Sequence, residues 1–186
     1  MSTSYQPIDL DQGLVGAAVA RAAKLPVFEG SHRKEAANLV GCIGEVVMER
    51  YFTVKGIEFE RRLESTTEDY LVGRKFTLDV KTKDRTVVPK DYFDNSVPLY
   101  NHDHQRPDYY YFVSLLRDKS IDENDPRRFV KAFILGGMDI NTLDRRGKRW
   151  EAGETDPSNG TKFWTACINL RMLDLLSNSQ MLDIFR

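Results

Sequence analysis

Asp69, Asp79 and Lys81 have types and spacing suited to chemistry on a phosphate ester. The segments 69–72 (DYLV) and 76–83 (FTLDVKTK) alternate apolar and polar residues with a period of two, as half-buried strands do, and Gly73, Arg74 and Lys75 supply the turn between them. In a hairpin centred on Arg74, residues whose numbers sum to twice 74 lie opposite each other, which sets Asp69 against Asp79. Two carboxylates across a ladder repel unless a positive charge lies between them, and paired hard oxygens are the ligands that Mg²⁺ or Mn²⁺ prefers. Alternation places Asp79, Lys81 and Lys83 on one face of the second strand and Leu78, Val80 and Thr82 on the other. An ammonium beside a bound cation can orient or help deprotonate an attacking water and stabilise charge developing on phosphate. Those are the parts that phosphodiester hydrolysis needs. The plainer alternative is an exposed hairpin face with Lys81 or Lys83 as an ion-pair partner, worth ~0.5 kcal/mol.

A helix must stand behind this hairpin. The spacing predicts one from about 33 to 52, with Ser31 as N-cap, Gly56 just past its end and an apolar stripe of Leu39, Val40, Ile43, Val47 and Tyr51. Glu45 projects to roughly the opposite side, yet its neighbours at helical spacing are Gly41, Met48 and Phe52, so it reads as a partly buried acid. Its other reading is a residue at the edge of the polar face made by Asn38, Cys42 and Glu49, with Glu49 as the substitute ligand if the helix is rotated.

Asp69, nine intervening residues and then Asp79-Val80-Lys81, preceded by Gly44-Glu45-Val46-Val47, resemble the signature of the PD-(D/E)XK nuclease superfamily. The resemblance implies a restriction-endonuclease-like α/β fold, a three-layer core whose central mixed β-sheet is flanked by helices. It implies Asp69 and Asp79 as direct ligands of Mg²⁺ or Mn²⁺, the Val80 carbonyl as a further ligand, Glu45 as a ligand directly or through water, and Lys81 as the catalytic lysine. DNA is then the expected partner, with a homodimer as one route to cutting two strands. The residue before Asp69 is Glu68 where the family motif has proline. The layout of residues 35–175 is similar to that of phage and restriction-type members. A catalytically inactive nucleic-acid-binding or assembly module on the same fold is the rival expectation.

Other residues invite weaker readings. Lys83 and Arg85 continue from the catalytic strand and are expected near the DNA phosphate, while Arg145, Arg146, Lys148 and Arg149 beside Trp150 form the densest basic run and have the makings of a backbone grip. His102 and His104 in NHDH read as a polar loop, since a lone His-x-His lacks a second metal-binding cluster. Gln105 with Tyr109 is too short a pattern to use. The run Tyr109, Tyr110 and Tyr111 reads as sheet core and edge rather than as a base-stacking platform.

Further elements complete the frame. An amphipathic helix is expected over 9–24 with Leu10, Leu14, Val15, Ala18, Val19 and Ala22 on one stripe, broken by Pro26. Strands are expected at 57–63, 108–116, 128–136 and 163–170, an irregular segment at 141–160, and a closing helix at 172–185. With 186 residues, 41% hydrophobic and 11% aromatic, the chain is expected to form one domain, residues 1–32 packing on the core. No run of eighteen apolar residues and no secretory layout is present, so a soluble cytoplasmic protein without membrane contact is expected. Cys42 and Cys167, far apart in apolar stretches, read as reduced core thiols and not as a zinc site. With 27 Lys and Arg against 28 Asp and Glu, the formal charge of -1 gives no electrostatic sign of a nucleic-acid partner, and any such surface must arise from local clustering.

Overall fold

The computed structural model describes residues 5–25, 35–62, 65, 67–99 and 106–186, the first three residues of the second segment by backbone alone. Along the chain run β1 (Gln6–Asp9), α1 (Gln12–Ala22), α2 (Glu35–Lys55), β2 (Phe59–Arg61), β3 (Tyr70–Val72), β4 (Phe76–Arg85), β5 (Asp94–Pro98), β6 (Tyr109–Arg117), β7 (Phe129–Asp139), α3 (Ile140–Arg146), β8 (Lys148–Trp150), β9 (Cys167–Arg171) and α4 (Asn178–Phe185). Six strands form one sheet in the order β1-β7-β6-β4-β3-β2, and three form a smaller one, β5-β9-β8. All pairings are antiparallel except β4 with β6, which makes the large sheet mixed. A parallel pair needs a crossover, and this one carries β5 out to the small sheet.

Strand alternation explains the layers. Leu78 and Val80 of β4, with Tyr111 and Val113 of β6 and Ile134 of β7, face a core filled by Leu14 and Ala18 of α1, Ile43, Val47 and Phe52 of α2, and Met181, Leu182 and Phe185 of α4. Tyr110, Phe112, Phe133 and Leu135 face the other way, against Val97, Ile168 and Leu170 of the small sheet and Ile140 and Leu143 of α3. The protein is thus a mixed α/β fold. Its helices flank the central sheet chiefly on one side. On the second side the short α3 lies beside the small sheet.

Several boundaries moved for identifiable reasons. Residues 6–9 pair with β7, and Lys131 bonds Asp9 at 3.0 Å, so the first helix starts only after Asp11, which caps it by accepting from the Leu14 amide at 2.8 Å. The second helix runs on to Lys55 and stops where Gly56 takes a φ of +67°. Its expected N-cap Ser31 and the break at Pro26 lie outside the described residues, as do His102, His104 and Gln105. The segment 141–160, read as irregular, contains all but the first residue of α3 and the whole of β8. The closing helix begins late, at Asn178, because Leu176 first bridges to Gly137 and Ser177 then forms a capping box with Gln180. Tyr110 and Tyr111 are buried as expected, and Cys42 and Cys167 are buried free thiols. Among the described residues no helix is long and apolar enough to cross a membrane.

Candidate active site

The hairpin of β3 and β4 has the register that the sequence predicts: Tyr70 pairs with Leu78, Leu71 with Thr77 and Val72 with Phe76. Gly73 and Arg74 both adopt positive φ in the turn. A side chain at position 73 would meet the Phe185 carbonyl oxygen at 2.4 Å, so glycine is needed there for space as well as conformation. Asp69 lies just ahead of β3, its amide donating to the Leu78 carbonyl at 3.0 Å. Its carboxylate accepts from the Val80 amide at 2.7 Å, so a side chain takes the place of a backbone partner where β3 has ended. In an extended strand the carbonyl of a residue points to the same edge as its amide, which brings the Val80 carbonyl to the Asp69 side of β4.

Asp79 is buried, its carboxylate 2.7 Å from the Lys81 ammonium, and that ammonium stands 5.8 Å from the centre of the Tyr110 ring. Burial pushes the Asp69 carboxyl well above the usual carboxylate range, and the charges of Asp79 and Glu45 push it further, against the opposing pull of the Val80 amide and Lys81. Asp69, Asp79, Glu45 and Lys81 therefore share one electrostatic neighbourhood, although they come from a helix, a pre-strand residue and a strand.

Gly44 is what lets the helix come so near. A Cβ at that position would stand 1.8 Å from the Thr82 hydroxyl oxygen, so α2 rests directly on β4. One residue on, and turned by about 100°, Glu45 emerges toward the hairpin. Burial raises its carboxyl, while Arg21 of α1, bonded to it at 3.0 Å, opposes the rise. Glu49, one turn further on, is held by Arg21 at 2.8 Å, by the Tyr70 hydroxyl at 2.9 Å and by Arg61 at 3.1 Å. Of the two candidate glutamates, it is Glu45 whose charge acts on Asp69. The buried thiol of Cys42 is pushed up to about 11, mainly by burial and then by Glu45.

Each carboxylate is engaged by the protein itself: Asp69 by an amide, Asp79 by Lys81 and Glu45 by Arg21. As they stand, no three His, Cys, Asp or Glu side chains among the described residues form a ready-made cation cage. Carboxylate oxygens with a backbone carbonyl at their edge are donors that a hard divalent cation could use, and its charge would offset that of Asp79 and Glu45 at Asp69.

The remaining cations are dispersed. Lys83 reaches the Ser96 hydroxyl at 3.4 Å. Arg85 donates to the Asp94 carbonyl at 2.6 Å and lies 4.8 Å over the Phe93 ring, half-buried against β5. Arg145, Arg146, Lys148 and Arg149 are exposed, the first two on α3 and the others on β8, the outer strand of the small sheet. Trp150 is buried, stacked on Phe163 at 4.6 Å and 19° with Lys148 over it at 3.8 Å, so its ring is already occupied within the fold. Two contributors to the acid neighbourhood, Arg21 and Gly44, escaped sequence reasoning. A signal for Arg21 existed: at three positions beyond Ala18 it borders the buried stripe of α1, where a solvated cation does not belong.

No protein-family model and no curated protein matches the sequence.

Proposed function

We propose that this chain is a nuclease of the PD-(D/E)XK kind that hydrolyses phosphodiester bonds in DNA. The reading is carried by one observation, the convergence of Glu45, Asp69, Asp79 and Lys81 at the open end of the hairpin, with Asp69 driven up by burial and by two neighbouring carboxylates. A sheet in which a helix precedes the acid-bearing hairpin and a parallel strand follows it fits the restriction-endonuclease-like arrangement. Asp69, Asp79 and the Val80 carbonyl would hold Mg²⁺ or Mn²⁺, with Glu45 as a fourth donor. The ion supplies polarisation of the phosphoryl oxygen and a more acidic water.

The chain's own residues do the rest. Lys81, held 2.7 Å from Asp79, stands where an ammonium can orient the attacking water and offset charge on the phosphate. Glu45, fixed by Arg21, closes the acid cluster from the helix side. Lys83 and the exposed bases Arg145, Arg146, Lys148 and Arg149 are the candidates for phosphate-backbone contact, with Arg85 bracing the strand that carries Lys83. The reading brings with it DNA as partner, two copies acting together on two strands, and the cytoplasm, where the thiols of Cys42 and Cys167 stay reduced.

The test is cleavage of plasmid and of linear single- and double-stranded DNA with Mg²⁺ or Mn²⁺, by the wild type and by Asp79→Asn and Lys81→Ala. Cleavage that needs the ion and is lost in both folded variants supports the reading. Full activity in either variant removes its role, and cation binding without cleavage of any DNA form favours an inactive nucleic-acid-binding or assembly module instead.

A further inference from the structure

Arg21 sits in the last turn of α1 and its guanidinium bridges two carboxylates one helical turn apart on α2, Glu45 at 3.0 Å and Glu49 at 2.8 Å. We propose that Arg21 is a positioning residue that sets the cation affinity of the acid cluster, holding Glu45 when no divalent ion does and competing with that ion for the same carboxylate. The inference rests on the reading above and deepens it.

The arrangement is built for the task. α1 is anchored at its start by the Asp11 cap and by the Asp11–Arg50 pair at 2.9 Å, and along its length by Leu14 and Ala18 in the main core. The base of the Arg21 side chain is therefore fixed. Its planar fork suits two acceptors better than a lysine would, because two N–H groups diverge from one rigid plane. Arg21 is only 15% exposed and Glu45 24%, so their attraction is weakly screened.

The two carboxylates depend on Arg21 unequally. Glu49 has Arg61 and the Tyr70 hydroxyl besides, and those keep it in place. Glu45 takes its guanidinium bond from Arg21 at 3.0 Å, and its backbone carbonyl accepts from the hydroxyl of Tyr70, the residue next to Asp69, at 3.4 Å. Loss of Arg21 therefore falls first on Glu45, at the side of α2 that meets the hairpin. A cation drawing on Glu45 has to take that carboxylate from a charged partner, and the partner's charge opposes the ion's approach.

The measurement is Mn²⁺ binding to the full chain, by calorimetry and by the paramagnetic resonance of free Mn²⁺, for the wild type, Arg21→Gln, Glu45→Gln, the double variant and Asp79→Asn. Arg21→Gln is expected to tighten Mn²⁺ binding by at least about fivefold, and Arg21→Lys, which keeps the charge and gives up the fork, by less. With Glu45→Gln already in place the gain shrinks, since the contested carboxylate is gone. Unchanged or weaker binding in folded Arg21→Gln and Arg21→Lys overturns the proposal, and so does a gain of equal size with and without the Glu45 carboxylate, which is diffuse charge alone. If Mn²⁺ binds the wild type and is lost in Asp79→Asn while the Arg21 variants behave like wild type, the inference fails and the nuclease reading stands. If the wild type binds no Mn²⁺, both fail together.

Discussion

The two ends of β4 carry the same pattern and do opposite things with it. Asp79 and Lys81 near its start, and Lys83 and Arg85 near its finish, alternate toward one face of one strand. At the far end each cation meets a neutral partner: Lys83 reaches Ser96, and Arg85, whose charged form burial disfavours, clamps the Asp94 carbonyl and covers Phe93, fastening the small sheet to the large one. At the near end Asp79 adds to the burden on Asp69, and Glu45 adds again from the helix. A cation bonded to a carbonyl and laid over a ring is accounted for by the packing of two sheets. Carboxylates that repel one another at an open strand edge are where the proposed divalent cation would act.

The contrast is broken or sharpened by substitution, in descending order of effect. Asp79→Asn or Lys81→Met is expected to slow Mg²⁺-dependent DNA cleavage by about a thousandfold, roughly 4 kcal/mol of transition-state stabilisation. Arg85→Met leaves the rate within about threefold. A plasmid-nicking time course on folded proteins decides it, and equal losses at both ends of the strand mean that the two ends do not differ in function. Gly44→Ala comes next, at about 2 kcal/mol or more of stability, because the added methyl overpacks the contact with Thr82. Denaturant melts should show partial recovery when Thr82→Ala is added, and no recovery means that the helix is held off by something other than this contact.

Smaller effects follow. Arg85→Met should lose about 1–2 kcal/mol of stability through the unanswered Asp94 carbonyl, read from the same melts. Asp69→Asn, measured in chelator, should raise the melting temperature by a few degrees, about 1 kcal/mol for a chain of this size. Asp69 takes up its proton more readily in the folded state than in the unfolded one, so the wild type gains stability as pH falls through the raised folded value toward the ordinary aspartate value of 3.8. The variant lacks that gain. Its advantage is therefore widest at neutral pH and closes in acid; a constant gap across pH means that Asp69 is not held up by its neighbours.

Which parts were legible in advance follows the range of the interactions involved. The hairpin register was readable because alternation and a turn fixed by Gly73 are local, and one centre of symmetry sets every pair across the ribbon. The distinction between Glu45 and Glu49 was less so, since both lie off the apolar stripe and the rotation of α2 depends on tertiary contacts such as that of Gly44 with Thr82. β5 (DNSVP) and β8 (KRW) have too few apolar residues to announce themselves; they are strands because β9 lies between them with buried Ile168 and Leu170. The same long-range dependence hid Arg21, whose partners are 24 and 28 residues away. It also hid the bond of Arg85 to the Asp94 carbonyl of β5.

The carboxylate of Asp69 on the Val80 amide has one more consequence. It stops the ribbon from zipping onward, so the seam between the two strands ends in a notch instead of a closed ladder. An incoming chain finds the Val80 amide at this seam already taken, whereas the proposed ion would have only to draw one carboxylate away from that amide. A single side chain thus decides where the ladder stops.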